Sequence, residues 1–416
     1  MQEDKGTTFR RFRGEEMETI HMRLCLASLH PRALSGQIDS LAGLGRVLMS
    51  RGHTVQLVAP FETGRLLEDP LTQLDGGPRG LAGGALSMAR ALPRILEASG
   101  SADLLHVALP TPAFGWLGDL LGWRAGVPVV VSYEGHLAQA SEALAWHNLR
   151  LGAKGWLTLW GVNNGFFGRL GHHQGRRYIV STELQKQELE ALHVTGGNVT
   201  VLPNIVDRTK LRRLSREQAR HALGLASAHR LVGYVGHFNQ VKGVDTLARA
   251  FVQLAQRDAE VELVLAWSGQ GSDGPVRRIL RPVSDRVHWL GKVEVGTFLS
   301  AIDVLALPYR STAGQSAIPA LVVEALHMGR PLVTARLPLL EEVLREGETA
   351  LLSTPNAVDE LMANLERLLG DAVLARHMAA AQLRASWDFA PERLCDQYEE
   401  LYGAMTAGGV LERRVA

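Results

Sequence analysis

Cysteine is almost absent: the 416 residues contain two, Cys25 and Cys395. Neither has the spacing of a metal site or a redox motif. Cys25 sits in an apolar run and Cys395 in an expected helix, so both read as inert buried thiols. Long apolar runs are missing too, since no uninterrupted stretch approaches the ~18–20 residues a membrane span needs. Neither sign of charge dominates: 44 basic residues face 43 acidic ones, a formal charge of +1. No global field therefore draws the chain to nucleic acid or to an anionic membrane. No acidic pair has metal-ligand spacing, and no bound metal is expected. Residues 1–21, with the run RRFRGEEME, lack the apolar core of a secretory signal. They read as a charged, disordered tail, and a cytoplasmic protein is the expectation.

What is present is an ordinary globular composition, 46% hydrophobic and 21% charged. The length exceeds the ~250–300 residues at which one core stops growing, so two domains are expected. Short β-rich runs alternate with helical patterns, the signature of parallel sheets covered by helices. Strands are expected at 22–29, 54–59, 104–108, 128–132, 177–181 and 199–203, then at 231–236, 261–266, 286–290, 303–308, 331–335 and 349–353. Between the first two, Ile38, Leu41, Ala42, Gly45, Leu48 and Met49 recur at helical spacing, and Gly52-His53 ends that helix. Thr182 to Gln185 reads as a capping box opening another helix. Further helices are expected at about 243–257, 273–281, 295–302, 318–328, 338–346, 356–370, 372–385 and 391–406. The break between halves falls near Pro203-Asn204. The polar stretch after it carries Arg208, Lys210, Arg212, Arg213 and Arg216 without interleaved aromatics, so it reads as a solvated linker and not a nucleic-acid surface.

Two segments carry chemistry. In Gly233-Tyr-Val-Gly-His-Phe-Asn-Gln-Val-Lys-Gly243 a strand ends, a short loop holds His237 and Lys242, and a helix opens. A lysine there either reaches a phosphate, with backbone N–H groups and the helix dipole favouring the anion, or stands exposed to solvent in an ordinary strand–helix turn, and spacing alone does not choose between them. In the second segment a small-residue loop, Ala313 to Ala317, feeds a helix whose first turn suits Pro319. Glu324 follows among Ala320, Leu321, Val322, Val323, Ala325 and Leu326. A carboxylate so surrounded is costly to bury alone; it is either an acceptor for ligand hydroxyls or an exposed glutamate on an outer helix face.

Taken together, the Lys242-Gly243 loop and the Glu324-Ala-x-x-x-Gly-x-Pro-Leu-Val pattern about 80 residues later resemble the retaining glycosyltransferases of family 4. Arg46 to Val55, Leu202-Pro-Asn-Ile-Val-Asp207, Trp289-Leu-Gly291, Ile302 to Pro308 and Trp387 extend the resemblance over most of the chain. It implies an α/β GT-B fold: two doubly wound Rossmann-like domains facing a central cleft. An acceptor-side domain would span 22–203, completed by a C-terminal helix at about 391–408, and a nucleotide-sugar domain 204–390. The donor implied is a UDP- or GDP-hexose, used as substrate with no cofactor. Lys242 would bind its diphosphate, Glu324 its ribose, backbone near Val293 its base, and Gly36 would let backbone approach the phosphates and acceptor. Hexose transfer to an unidentified acceptor is the implied reaction, with retention of configuration.

Three positions depart from the family pattern. Ser316 stands where the first glutamate of the motif belongs, and Ser316 or Gln315 would hydrogen-bond the sugar without charge. His237 replaces an arginine partner of Lys242. Glu134 occupies the slot of a histidine near the reacting carbon, with His136 two residues on; one of them is expected to line the cleft. These departures recommend a rival, a degenerate homologue that binds nucleotide sugar or a protein partner without efficient transfer. A nucleotide-sugar epimerase is less favoured, because its chemistry needs placed carboxylates. The segment 146–169 interleaves Trp146, Trp156, Trp160 and two phenylalanines with Arg150, Lys154 and Arg169. It is read first as an amphipathic helix on the first domain, and second as a peripheral contact with the inner face of the membrane.

Overall fold

The computed structural model describes residues 21–29, 36–61, 63, 67–68, 81–109, 115–133, 177–191, 196–225, 228–311 and 318–413. The alternating pattern resolves into two six-stranded sheets whose pairings are all parallel. The first contains β1 (Arg23–Ser28), β2 (Thr54–Val58), β3 (Leu104–Leu109), β4 (Val129–Tyr133), β5 (Arg177–Val180) and β6 (Val199–Val201), ordered β2-β1-β3-β4-β5-β6. Every residue of β3 and β4 is buried. Strands covered on both faces have no solvent side to alternate with, which is why these read as continuous apolar runs.

Helices α1 (Gly36–Ser50), α2 (Leu81–Gly100), α3 (Gly115–Ala125) and α4 (Glu183–Ala191) accompany this sheet. The α1 core face holds Ile38, Leu41, Ala42 and Leu48 as expected, but Met49 is exposed and Leu44 is buried in its place. Gly52 ends α1 at φ +95° while His53 N–H returns to the Leu48 carbonyl (3.1 Å). At α4, Thr182 Oγ1 accepts from Gln185 N–H (3.1 Å), but Gln185 reaches Ser181 N–H (2.8 Å), one residue before the position a capping box requires.

The second sheet contains β7 (Arg230–Phe238), β8 (Val261–Gly271), β9 (Val287–Leu290), β10 (Val304–Leu307), β11 (Leu332–Ala335) and β12 (Leu351–Ser353), ordered β12-β11-β10-β7-β8-β9. Its helices are α5 (Arg216–Ala222), α6 (Val244–Arg257), α7 (Gly274–Leu280), α8 (Val295–Ala301), α9 (Ala320–Met328), α10 (Pro338–Glu341), α11 (Val358–Gly370) and α12 (Ala372–Ala385). Pro319 is the N-cap of α9 in extended conformation (ψ 129°), not a residue of its first turn. The expected 338–346 helix stops at Glu341. The next residue, Glu342, turns its carboxylate to the start of α4, accepting from Glu183 N–H (2.8 Å) and Leu184 N–H (2.9 Å).

The last helix, α13 (Pro391–Arg413), returns to the first sheet. Its Leu394, Cys395, Tyr398 and Tyr402 share one apolar cluster with Leu24, Leu26 and Leu104. Arg51 binds Glu399 (2.7 Å), and His53 Nε2 lies 2.9 Å from the same carboxylate. Inside the contact, Tyr402 Oη and His106 Nδ1 are 2.7 Å apart. Burial pushes the imidazole down to about 3, so it is neutral, and its Nε2 has no hydrogen-bond partner. Both cysteines are free and buried, and burial raises the thiols to about 11 at Cys25 and about 12 at Cys395. Among the described residues no helix is long and apolar enough to cross a membrane. The tail through residue 20 and the segment 146–169 lie outside the described residues.

Tyr402→Phe would leave the His106 ring with neither nitrogen paired. A buried unsatisfied polar group costs about 1–3 kcal/mol, and a loss of unfolding free energy of that size, seen as a lower urea midpoint, is the expected result. An unchanged midpoint would show that the bond contributes nothing.

Candidate functional site

Strand order in the second sheet reverses between β7 and β10. Connections leaving a parallel sheet on either side of such a point part company and open a crevice at the carboxyl ends of the strands. The segments after β7 and β10 are the ones that hold Lys242 and lead to Glu324.

The β7 end is irregular. Its register with β8 shifts between Gly236 and Phe238. His237 sits in that shift: Tyr234 Oη donates to its carbonyl (2.7 Å), and its Nδ1 is hydrogen-bonded to Ser268 Oγ on β8. Asn239 then caps a 3₁₀ turn, Gln240–Lys242, by accepting from Lys242 N–H (3.0 Å). Gly243 follows at φ +66°, and a Cβ built there would lie 1.9 Å from the Pro308 carbonyl oxygen. Both the left-handed backbone and the contact demand glycine. From it α6 opens directly.

Packed directly against this loop, Pro308-Tyr309-Arg310 continues from β10. The Lys242 ammonium lies 4.5 Å from the centre of the Tyr309 ring. Burial pushes this amine down to about 8. Tyr309 is 3% exposed, and its phenol is raised by burial and by the nearby Glu324. Tyr309 thus stands beside both predicted donor-binding side chains. It also lines a pocket with Thr246, Thr334, Ser353 and Asn356 at the carboxyl ends of β10 to β12.

Glu324 is half-buried on α9, between the apolar neighbours that made it conspicuous. Its carboxyl is pushed up to about 7, first by burial and next by Asp39, with Lys210 opposing. Asp39 belongs to the first turn of α1, the helix that Gly36 opens, and pairs with Lys210 (3.1 Å). Glu324 thus lies within electrostatic reach of the first turn of α1. Val293 lies in the turn between β9 and α8, half-buried against the second core; the next residue, Glu294, caps α8 through Thr297 N–H (3.2 Å). Nearby the Arg277 guanidinium stacks 3.9 Å over the Trp289 ring.

Lys242 thus lies against Tyr309, Glu324 is near enough to Tyr309 and to Asp39 of α1 to feel their charges, and His237 sits at the same β7 turn as the lysine. Glu134, His136, Gln315 and Ser316 lie outside the described residues. Sequence reasoning missed Tyr309, Arg310, Ser268 and Asp39. Tyr309 and Arg310 directly follow an expected strand, but their place beside the order reversal emerges only from the fold. Asp39 and Ser268 carried no signal, since their neighbours are set by tertiary packing. Among the described residues no three or more histidine, cysteine, aspartate or glutamate side chains are grouped to hold a metal.

Two family profiles match the chain: Glycosyltransferase Family 4 over residues 35–210 and Glycosyl transferases group 1 over residues 229–371. Curated relatives include the D-inositol 3-phosphate glycosyltransferases of Mycobacterium marinum, 28% identical over 249 residues (56% of this chain, 52% of that protein), and Nocardia farcinica, 30% identical over 257 residues (56% and 55%). The chain spans about half the length of these relatives. Similar solved structures include the sucrose-phosphate synthase of Thermosynechococcus elongatus (TM-score 0.69, 20% identity, 93% of this chain and 100% of that one). Anabaena HepE, solved with UDP and glucose, is another (TM-score 0.63, 18% identity, 92% and 100%). At these identities the structural likeness establishes the fold, and that fold is GT-B.

Replacing Gly243 by alanine tests the tight turn against a built-in control. Gly52 also has positive φ, but a Cβ there meets nothing within 4 Å. Gly52→Ala should cost about 1 kcal/mol from backbone strain alone. Gly243→Ala should cost clearly more, because its Cβ collides with a backbone oxygen. Chemical denaturation of the two variants compares them, and equal losses would show that the Pro308 oxygen places no constraint on residue 243.

Proposed function

The chain belongs to the family 4, group 1 glycosyltransferases, and from that premise we propose that it moves a hexose from a UDP- or GDP-sugar to an acceptor hydroxyl with retention of configuration and without a metal. The observation that carries the proposal is the meeting of Lys242 and Glu324 around Tyr309, at the order reversal of the second sheet. Lys242 holds the diphosphate and Glu324 accepts from the ribose hydroxyls. Backbone near Val293 meets the base, and the start of α1 at Gly36 closes on the phosphates. His237 adds a ring nitrogen as a further hydrogen-bonding group at the phosphate end. Ser316 or Gln315 contacts the sugar, and Glu134 or His136 lines the acceptor side.

Breaking the glycosidic bond leaves negative charge on the departing diphosphate. A fixed ammonium and the N–H groups opening α6 stabilise that charge as it develops, so the leaving group needs no metal ion. The acceptor oxygen then attacks from the face the diphosphate leaves, and its proton passes to a diphosphate oxygen. Relatives solved with UDP support a uridine donor, and the curated relatives that act on an inositol phosphate support a small polyol acceptor. The free buried thiols suit a reducing compartment, and the proposal places the enzyme in the cytoplasm, with 146–169 as the candidate contact with the membrane face. A second reading, binding without efficient transfer, is favoured by His237, which stands in place of an arginine and is tied to Ser268.

Lys242→Ala should weaken UDP or GDP binding about 10- to 100-fold, the worth of one charge-assisted contact. Glu324→Gln should weaken it less, and should leave affinity for inorganic pyrophosphate unchanged. Titration calorimetry measures both, and intact binding in both variants would refute the donor assignment. Incubation with a panel of donor sugars separates transfer from mere binding: nucleotide release supports transfer, and silence with every donor supports the second reading.

The two shifted groups also set a pH window. Lys242 loses its positive charge as pH rises through about 8, and Glu324 loses its negative charge as pH falls through about 7. Affinity for an intact nucleotide sugar should therefore peak between these values and decline on both sides. Lys242→Ala should abolish the alkaline decline, and Glu324→Gln the acid one. Calorimetry across the window checks this, and a flat profile in the wild type would contradict it.

A further inference from the structure

The segment Pro308-Tyr309-Arg310 grips the Lys242 loop at every step. The Pro308 carbonyl fills the space beside Gly243 where a side chain would stand. The Arg310 N–H donates to the Val241 carbonyl (2.8 Å), and its guanidinium reaches the Gln240 carbonyl (3.3 Å). The same guanidinium binds Asp245 (2.6 Å) and Thr246 Oγ1 (3.2 Å) in the first turn of α6. Between these fastenings the Tyr309 ring faces the Lys242 ammonium at 4.5 Å.

We infer that Tyr309 is a positioning residue for donor binding: its ring face holds the Lys242 ammonium in place for the diphosphate, on a loop that Pro308 and Arg310 fix from the backbone. The inference deepens the proposed donor site and rests on that reading. A lysine carries three rotatable donors on a flexible four-carbon stem, so an ammonium free to wander loses rotamer entropy when it meets a phosphate. The negative face of an aromatic ring attracts the cation without offering it a hydrogen-bond acceptor, so its donors stay available to a ligand. The carboxylates near the loop do not compete for this role. Asp245 is engaged by Arg310 and Arg249, and Glu324 faces Asp39 and Lys210.

The test changes the electrostatics of the ring and keeps its shape. With Tyr309→Phe as reference, phenylalanine analogues of rising fluorine content are placed at position 309, which drains the negative face of the ring. UDP and GDP are titrated against each protein, with uridine and guanosine as controls that lack the diphosphate. Affinity for the diphosphate should fall stepwise with fluorination, by about tenfold over the series, while nucleoside affinity stays constant. Tyr309→Leu and Tyr309→Met should show the same selective loss, and if either fails to fold the fluorinated series still decides. A flat series alongside a wild-type nucleotide complex would overturn the positioning role alone. A wild type that binds neither nucleotide would overturn the donor reading and this inference together.

Discussion

The contact between Gly243 and the Pro308 carbonyl is the constraint on which the donor site rests. Two strands that neighbour one another in the second sheet, β7 and β10, send their following segments apart in sequence but not in space. The oxygen of one segment lies where a side chain of the other would have to be, so the two pack backbone to backbone. This closeness sets the Lys242 ammonium on Tyr309, and it lets Arg310 hold the carbonyls of residues 240 and 241. It also fixes where α6 begins, and hence where its free N–H groups point.

Charge in the cleft is arranged on the same economy of space. Lys242 and Glu324 are drawn from water and each moves toward its neutral form, the amine down to about 8 and the carboxyl up to about 7. Desolvation dominates both shifts, and Asp39 adds to the second by facing Glu324 from the other sheet's first helix. An anion arriving beside Lys242 would raise the amine again, and hydroxyls donating to Glu324 would lower its carboxyl. A bound donor therefore favours the charged form of both groups.

Much of this was legible from sequence because parallel strands buried on both faces leave unmistakable apolar runs. All twelve expected strands form, with ends displaced by a few residues. Helix α9 was legible from its apolar run and the Gly329 that ends it, and the Lys242 loop from the glycine after the lysine. Other features were not. Helix α2 contains Pro93 and paired glycines, so its local composition argues against the helix that tertiary packing supports. Met49 follows the helical period yet faces solvent, because periodicity fixes an angle around the axis and not the edge of the covering sheet. The environment of Glu324 was open between a buried and an exposed reading, since it depends on Asp39 and Lys210, residues far away in the chain. Tyr309 escaped notice because a tyrosine after a strand looks like any core aromatic until the lysine above it is seen.

The return of α13 to the first sheet has a consequence for the birth of the protein. The face of that sheet near His106 is covered by Leu394, Tyr398 and Tyr402, residues made after every other strand and helix described here. During synthesis the first half leaves the ribosome with this face bare and cannot finish its core until the last helix arrives. The strands of the second sheet all lie within 230–353, so its pairings join residues nearer in sequence. One core of the first half thus depends on a helix encoded almost 300 residues later than His106, made together with the second half.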